Sequence, residues 1–308
     1  MKASTIASSF FIFAATLLLA GAGIAQTQTN VAPERPPGFG PGGVNWQAAA
    51  TFSYDAPGAT RFQGTHLARS DAYTANVGVS GQLTLDEKWF VRLGIRSDNY
   101  FLDAVSGAPI PDGMHTLRFN TGLGYHYNDQ WTLTGLFSPA LYRFMNVGGD
   151  EIGFSGGVLA AYQASPDWLW TFGILISPDS DVPVLPVVGL RWRINADYSL
   201  EVGVPNTRLI YQLAPQWSLY TGLDLTGTTF RTAADLGAKA GFPQYGNTLA
   251  TYRTIRLGVG VTGRLVAGWR TELEAGYSVY RQINYTDLNQ SVDFDPAPYV
   301  RLGLSCRF

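Results

Sequence analysis

Tyr299-Val300-Arg301-Leu302-Gly303-Leu304-Ser305-Cys306-Arg307-Phe308 is the stretch that decides the fold. Its side chains alternate without a fault between apolar residues at even positions and polar or small residues at odd ones. A period of two residues indicates a β-strand, whose successive side chains point to opposite faces. One face of this predicted strand is wholly apolar, and the other carries Arg301 and Arg307. The strand is therefore expected to separate an apolar phase from a polar one.

This stretch resembles the closing strand of bacterial outer-membrane β-barrels, which alternates in the same way and ends on an aromatic residue. The resemblance implies that Phe308 is an assembly signal, read by the barrel-assembly machinery through the C-terminal strand. It also implies outer-membrane lipids as partners of the apolar face.

The composition agrees with a membrane barrel. Charged residues make up 14% of the 308-residue chain, against about 25% in soluble globular domains. Hydrophobic residues make up an ordinary 46%, and the missing charge is replaced by 35 Gly, 16 Tyr and 8 Trp. A helical membrane protein would instead need apolar runs of about 20 residues. With a net charge of -2 and no basic cluster, the sequence predicts no nucleic-acid partner.

The amino terminus predicts a secreted protein. Met1-Lys2 gives a positive end, Phe10 to Ala22 an apolar core, and Gly23-Ile24-Ala25 small residues for cleavage. We therefore expect a signal peptide over 1–25. Residues 26–44, rich in Gln, Pro and Gly, are expected to form a flexible periplasmic leader. Residues 45–308 then form a barrel in the outer membrane of a diderm (Gram-negative) bacterium.

A unit of alternating run, tight polar turn and aromatic residue repeats along the chain. The six aromatic residues are predicted to form a girdle at the membrane–water boundary: Trp89, Trp131, Trp168, Tyr198, Trp217 and Trp269. Longer connections, among them 57–72, 231–250 and 286–296, alternate with the short turns. This asymmetry is typical of bacterial barrels and predicts seven hairpins, hence an all-β, antiparallel up-and-down barrel of about 14 strands.

One hairpin leaves the strand count open. Segments 198–204 and 207–213 are shorter than the about 9–11 residues that a tilted spanning strand needs, and the apolar phase slips at Pro205. One long bulged strand would give 13 strands, and a hairpin too short to span would leave 12. Fourteen is favoured, with twelve as the alternative.

The same region carries a second resemblance. Val187–Trp192, Val204-Pro205, Arg208–Tyr211 and Trp217–Tyr220 resemble the core motif of an uncharacterised family of outer-membrane barrels, known as a domain of unknown function. The resemblance implies fold and location. It brings no substrate and no catalytic residues.

Charged residues fall on one face of strand after strand. Because a charge facing lipid at mid-membrane costs about 2–4 kcal/mol, this face is predicted to line the lumen. Eight arginines and five acids give it an excess of three positive charges: Arg92, Arg96, Asp98, Arg118, Arg191, Arg193, Glu201, Asp224, Arg256, Arg264, Arg270, Glu272 and Glu274, with His126 beside them.

Two functions from different classes fit this face. One is a porin-like channel or transporter for small solutes, with anions as a candidate class because arginine rings favour them. The other is a structural or surface-interaction barrel whose lumen is closed by cross-strand ion pairs; Glu272 and Glu274 are expected to belong to such a cluster. The sequence predicts no enzyme, since His66, His115 and His126 lack Ser or Asp partners at motif spacing. It predicts no catalytic residue, metal site or cofactor, and leaves the oligomeric state open.

Overall fold

The computed structural model describes residues 44–142, 151–180, 182–236, 238, 241–265 and 268–308. The predicted signal peptide and leader lie outside these residues, except for Val44, which begins the first strand. Among the described residues no helix is both long and apolar enough to cross a membrane.

The described chain is almost entirely strand. Its elements are β1 (Val44–Phe62), β2 (Thr65–Thr84), β3 (Trp89–Leu102), β4 (Gly113–His126), β5 (Trp131–Leu141), β6 (Ile152–Ser165), β7 (Trp168–Ile176), β8 (Val184–Arg193), β9 (Tyr198–Val202), β10 (Asn206–Ala214), β11 (Trp217–Arg231), β12 (Leu249–Arg264), β13 (Trp269–Tyr285), β14 (Gln290–Phe294) and β15 (Ala297–Arg307). One-turn 3-10 helices cover Pro243–Tyr245 and Thr286–Leu288.

These strands form one closed antiparallel barrel. Each strand from β1 to β13 pairs with the next one along the chain, and β15 closes the circle between β13 and β1. The short β14 runs in the same direction as β15 and pairs with the upper ends of the same two neighbours. The last strand is thus broken in two at Asp295-Pro296, and the predicted fourteen-stranded, all-β barrel is confirmed, with one extra strand segment.

The short hairpin belongs to the barrel. β9 has only 5 residues, but it pairs with β8 on one side and with β10 on the other. The alternatives of 13 and 12 strands are therefore wrong.

Two of the predicted long loops are largely strand. β1 and β2 continue through residues 57–72 and are joined by a tight turn at Gln63-Gly64, where both residues have positive φ. The expected loop at 286–296 contains β14. In these extensions the apolar side chains are buried inside the barrel and the polar ones face outward, which is the reverse of the arrangement in the lower strands. Sequence periodicity missed them because it assumed an apolar exterior throughout.

In three of the short turns, the side chain of the first turn residue accepts hydrogen bonds from backbone N–H groups two and three residues later. The carboxylate Oδ1 of Asp86 accepts hydrogen bonds from the backbone N–H groups of Lys88 and Trp89, both at 2.7 Å. Asn128 and Asn195 make the same pair of bonds at 2.8–2.9 Å to the two residues that enter the next strand. Such Asx-turns explain why Asp or Asn stands three residues before the aromatic.

The lower part of the barrel, toward the short turns, has the polarity of a membrane protein. Its outward side chains are large, apolar and exposed, for example Leu93, Leu123 and Val259, which is 62% exposed. Lipid can cover such a surface, because the backbone polar groups of the strands pair with neighbouring strands around the closed barrel. The exposed apolar face of the last strand, Val300, Leu302 and Leu304, belongs to this belt.

The upper part, toward the long connections, has the opposite polarity. Its inward side chains form an apolar core: Phe62, Tyr100, Leu102, Met114, Phe230, Tyr252, Ile283, Tyr285, Val292 and Phe294. Outward positions there include Arg61 and Asp293. The change coincides with register shifts in β1 after Asp55 and in the β12–β13 pair at Ile255/Arg256. The barrel therefore continues above the apolar belt with a buried apolar core in its interior.

Candidate functional site: a vestibule below a charged septum

Thirteen of the fourteen predicted lumen residues fall into two groups on the inner wall. Six of them line a cavity of about 920 Å³ at the short-turn end: His126, Arg191, Arg193, Glu201, Arg264 and Arg270. We call this cavity the vestibule. Arg92 lies on β3, where its Nε donates to Gln82 Oε1 at 2.9 Å and its guanidinium stacks on Phe90. The other seven lie deeper and are ion-paired. Whether any of the fourteen lines a solute pathway stays a prediction.

The centre of the deeper group is a cluster of two arginines and three carboxylates. Arg301 pairs with Asp224, Glu272 and Glu274, the contact with Glu272 being 2.9 Å. Arg208 reaches the same three carboxylates at 3.3, 3.4 and 3.8 Å. Asp224 and Glu274 are almost fully buried, with 4% and 3% of their side chains exposed. Each charge is thus held by opposite charges, which is the condition for a stable buried ion.

Two tyrosines complete this cluster. The hydroxyl of Tyr220 donates to Glu272 at 2.7 Å and also contacts Glu274, while the Tyr299 hydroxyl donates to Glu274. The guanidinium of Arg208 lies 4.4 Å from the centre of the Tyr220 ring. The two glutamates are therefore engaged as acceptors of structural bonds, which fits the predicted ion-paired cluster rather than acid–base chemistry.

Two further ion-pair groups extend the cluster across the lumen. Asp55 on β1 accepts bonds from Arg256 and Ser278, and Arg256 also donates to Ser278 at 3.3 Å. Asp98 pairs with Arg96 at 2.6 Å and with Arg118 at 3.9 Å. We call these ten charged residues, on β1, β3, β4, β10–β13 and β15, the charged septum. Opposite it, the inward Leu175, Leu185 and Val187 form a separate buried cluster.

Sequence analysis missed three members of the septum: Asp55, Arg208 and Arg301. Arg301 stands on the polar face of the quoted last strand, and its alternation with Val300 and Leu302 was sufficient to place it inside. Arg208 falls next to the phase slip at Pro205, and Asp55 falls at the predicted end of β1. Periodicity assigns faces poorly at such points because one inserted residue reverses them.

Chain segments as well as side chains fill the lumen above the septum. Val105, Ala108 and Ile110 from the β3–β4 connection, and Tyr245 from the β11–β12 connection, belong to the apolar core. The Tyr285 hydroxyl donates to the carbonyl of Pro109, and Thr116 Oγ1 on β4 donates to Thr229 O on β11 at 3.0 Å. Among the described residues, these contacts fill the part of the upper lumen that lies between β1–β4 and β11–β14.

The predicted girdle residues each open an odd-numbered strand. Four of them contact an aromatic ring directly opposite on the next strand, in stacked pairs at Trp131–Tyr162 and Trp168–Trp192 and in tilted pairs at Trp89–Tyr125 and Tyr198–Tyr211. Trp217 instead covers Gly263, where an added Cβ would come within 2.4 Å of the ring. Trp269 is 47% exposed and opposes Cys306. Their membrane role stays a prediction.

Phe308 ends the closing strand at the short-turn end. Its backbone N–H donates to Trp46 O at 3.0 Å, and Trp46 N–H donates to Phe308 O at 2.9 Å. The ring is 72% exposed and so accessible to another protein. Its role as an assembly signal is untested by the structure.

Two of the three histidines lie within hydrogen-bonding distance of neighbouring side chains. His126 Nδ1 lies 2.9 Å from Thr132 Oγ1, and His115 Nδ1 lies 2.9 Å from Asn99 Oδ1. His66 lies in β2, not in the loop expected. The described residues contain no group of three or more His, Cys, Asp or Glu that could hold a metal ion.

A closed antiparallel barrel with an apolar outer belt and a polar interior defines the class of membrane-spanning β-barrels. The chain belongs to the DUF6268 family, a domain of unknown function whose model matches residues 87–308. This confirms the resemblance drawn from the region around Pro205.

Solved structures with a similar fold include proteins described as an outer membrane channel, a FadL homologue and a toluene transporter. An outer membrane channel from Pseudomonas putida F1 has 11% identity and a TM-score of 0.46, with 91% of this chain and 100% of that one covered. A Pseudomonas aeruginosa FadL homologue has 10% identity and a TM-score of 0.45, covering 86% and 90%. The Pseudomonas putida toluene transporter TodX has 11% identity and a TM-score of 0.39, covering 95% and 96%. No curated protein matches the chain.

Proposed function

We propose that the chain is an integral outer-membrane β-barrel that acts as a gated channel for small polar solutes. The observation that carries the proposal is the vestibule, a polar cavity of about 920 Å³ that opens at the short-turn end of the barrel. At about 30 Å³ per water molecule this volume holds on the order of 30 waters. A barrel that served only as a rigid support would not need to keep such a volume free of side chains.

The gate consists of two layers in series. The charged septum is made only of side chains from the barrel wall, so rotamer changes are enough to part it. The apolar core above it includes the β3–β4 and β11–β12 connections, which must shift for a solute to pass. Connections of this kind are the elements that commonly move in gated proteins.

The second candidate is a structural or surface-interaction barrel whose lumen stays closed. It is favoured by the pairing of every septum charge and by the burial of Tyr245, Tyr252 and Tyr285 to 1% exposure or less. In that case the long connections would be the functional part.

Single-channel recording in a planar lipid bilayer separates the two candidates. Folded wild-type barrel, verified by heat-modifiable gel mobility, is expected to show discrete openings. Tyr285→Ala removes the hydroxyl that holds the β3–β4 connection at Pro109 and is expected to raise the opening frequency. Ser291→Ala, an outward change on neighbouring β14, is the control expected to leave it unchanged. Silence of the folded wild-type barrel over a range of voltages would overturn the proposal in favour of the closed barrel.

A further inference from the structure

The vestibule wall contains two arginines that face each other. Arg264, at the end of β12, is the direct cross-strand partner of Arg270, near the start of β13. Both lie on the inner face, both are exposed to the cavity, and both line it. Like charges directly opposite each other in a sheet are destabilising, so this pair is unfavourable unless something else compensates it.

No carboxylate of the described residues forms an ion pair with either guanidinium; Glu201, which is shared with Arg191 and Arg208, interacts electrostatically with Arg270 only at longer range. Within that part of the chain neither guanidinium has an acidic group within 4.0 Å. The nearest acid along the same face of β13 is Glu272, and its Oε1 already accepts bonds from Arg208, Tyr220 and Arg301. The other cross-strand neighbour of Arg270 is the neutral Ser305.

Opposed guanidinium groups form a matched receptor for an anion. Each presents planar N–H donors that bind carboxylate or phosphate oxygens two at a time. Across the same cavity stands Arg191, which adds positive potential but has its own cross-strand acid, Glu201. The charged septum lies deeper in the barrel than the vestibule, and in such a concave site electrostatic attraction is stronger than on an open surface.

We propose that Arg264 and Arg270 form a binding site for small multivalent anions that carry phosphate or carboxylate oxygens. Such a site would make these anions the solute class of the proposed channel, and only this transport role rests on the proposed function. Binding itself requires no opening of the septum.

Isothermal titration of the folded barrel in detergent, with inorganic phosphate and with succinate as separate probes, tests the site. Wild-type protein is expected to bind at least one of them saturably, with an affinity that falls as salt rises. Arg270→Gln and Arg264→Gln are each expected to weaken binding about tenfold or more, since each removes a charge-assisted pair of bonds. The probe that binds distinguishes phosphate from carboxylate recognition.

Arg193→Gln is the matched control. Arg193 lines the same cavity and carries the same charge, but lies 4.0 Å from Asp167 at the mouth. It is expected to weaken binding less than about threefold, the size of a screened, non-specific effect. Equal losses in all three variants would refute a specific site, as would no saturable binding of either probe to the folded wild type. Binding by a barrel that is silent in the bilayer would support the site and overturn the channel.

Discussion

Arg301 is the residue whose removal tests the charged septum most severely. Its side chain is 11% exposed and pairs with three carboxylates, two of them nearly buried. In Arg301→Met the three carboxylates have Arg208 as their only remaining arginine in the cluster. The formal net charge of the cluster therefore changes from about -1 to about -2. Removal of one partner from a buried ion pair costs about 3–5 kcal/mol. We expect Arg301→Met to lower the free energy of unfolding by an amount in this range.

Urea unfolding in lipid vesicles, followed through the fluorescence of the 8 tryptophans, measures this loss. Arg61→Met is the matched control, because Arg61 also forms an arginine–aspartate pair, with Asp295, but both side chains are substantially exposed, at 48% and 33%. Exposed pairs contribute at most about 1 kcal/mol. Asp224→Asn combined with Arg301→Met returns the cluster to its original net charge and is expected to recover part of the loss. A loss for Arg301→Met no larger than that for Arg61→Met would refute the septum as a buried electrostatic unit.

Three further predictions concern the upper barrel and the close contacts in its wall. Arg61 lowers the pKa of Asp295 by hydrogen bonding to its carboxylate. A carboxyl group whose pKa is lower in the folded than in the unfolded state stabilises the fold at pH values above its unfolded-state pKa, and this stabilisation is lost as the pH falls. The difference in unfolding free energy between wild type and Asp295→Asn should therefore be full above about pH 5 and fade below about pH 4. A difference independent of pH would contradict this pair. Tyr252→Phe should leave the free energy of unfolding nearly unchanged because its buried hydroxyl has no hydrogen-bond partner among the residues that the structure describes. Tyr285→Phe should instead cost about 1–2 kcal/mol by leaving the Pro109 carbonyl unpaired; equal costs would show that the two hydroxyls are equivalent. Gly276→Ala should reduce the yield of heat-modifiable, folded barrel because its Cβ would meet the backbone oxygen of Leu257 at 2.0 Å, whereas Gly135→Ala, whose nearest such contact is 4.0 Å away, should fold normally.

The sequence predicts the class of fold and favours the correct number of barrel strands, although it leaves twelve open as an alternative. Alternation in the last strand, and the turn-plus-aromatic unit, both arise from local physics: the period of a strand and the Asx-turn that starts the next one. Even the weak hairpin at Tyr198–Val202 was assigned correctly, although its 5-residue first strand is held mainly by its neighbours.

The upper barrel was not predictable by the same rules. There the inner face of the barrel is apolar. If every strand is assumed to face lipid, β14 and the upper ends of β1 and β2 are too polar on their outer face to be assigned as strands, and they are assigned as loops. The septum was only partly predictable, since alternation reports which face a charge is on but not which distant strand supplies its partner. Asp55 and Arg256 are 201 residues apart in the chain, and no local pattern joins them.

The central claim is a closed barrel with lipid outside and water in the vestibule, and spin-label accessibility on adjacent residues of one strand tests it most directly. Leu219 and Ser218 are neighbours on β11, with Leu219 exposed on the outer belt and Ser218 lining the vestibule. Single cysteines would be placed at each position after Cys306→Ser removes the native thiol, and the labelled barrel reconstituted in lipid vesicles. We expect the label at 219 to be relaxed mainly by lipid-soluble oxygen and the label at 218 mainly by a water-soluble nickel complex. The reverse pattern, or equal access of the nickel complex to both, would contradict it.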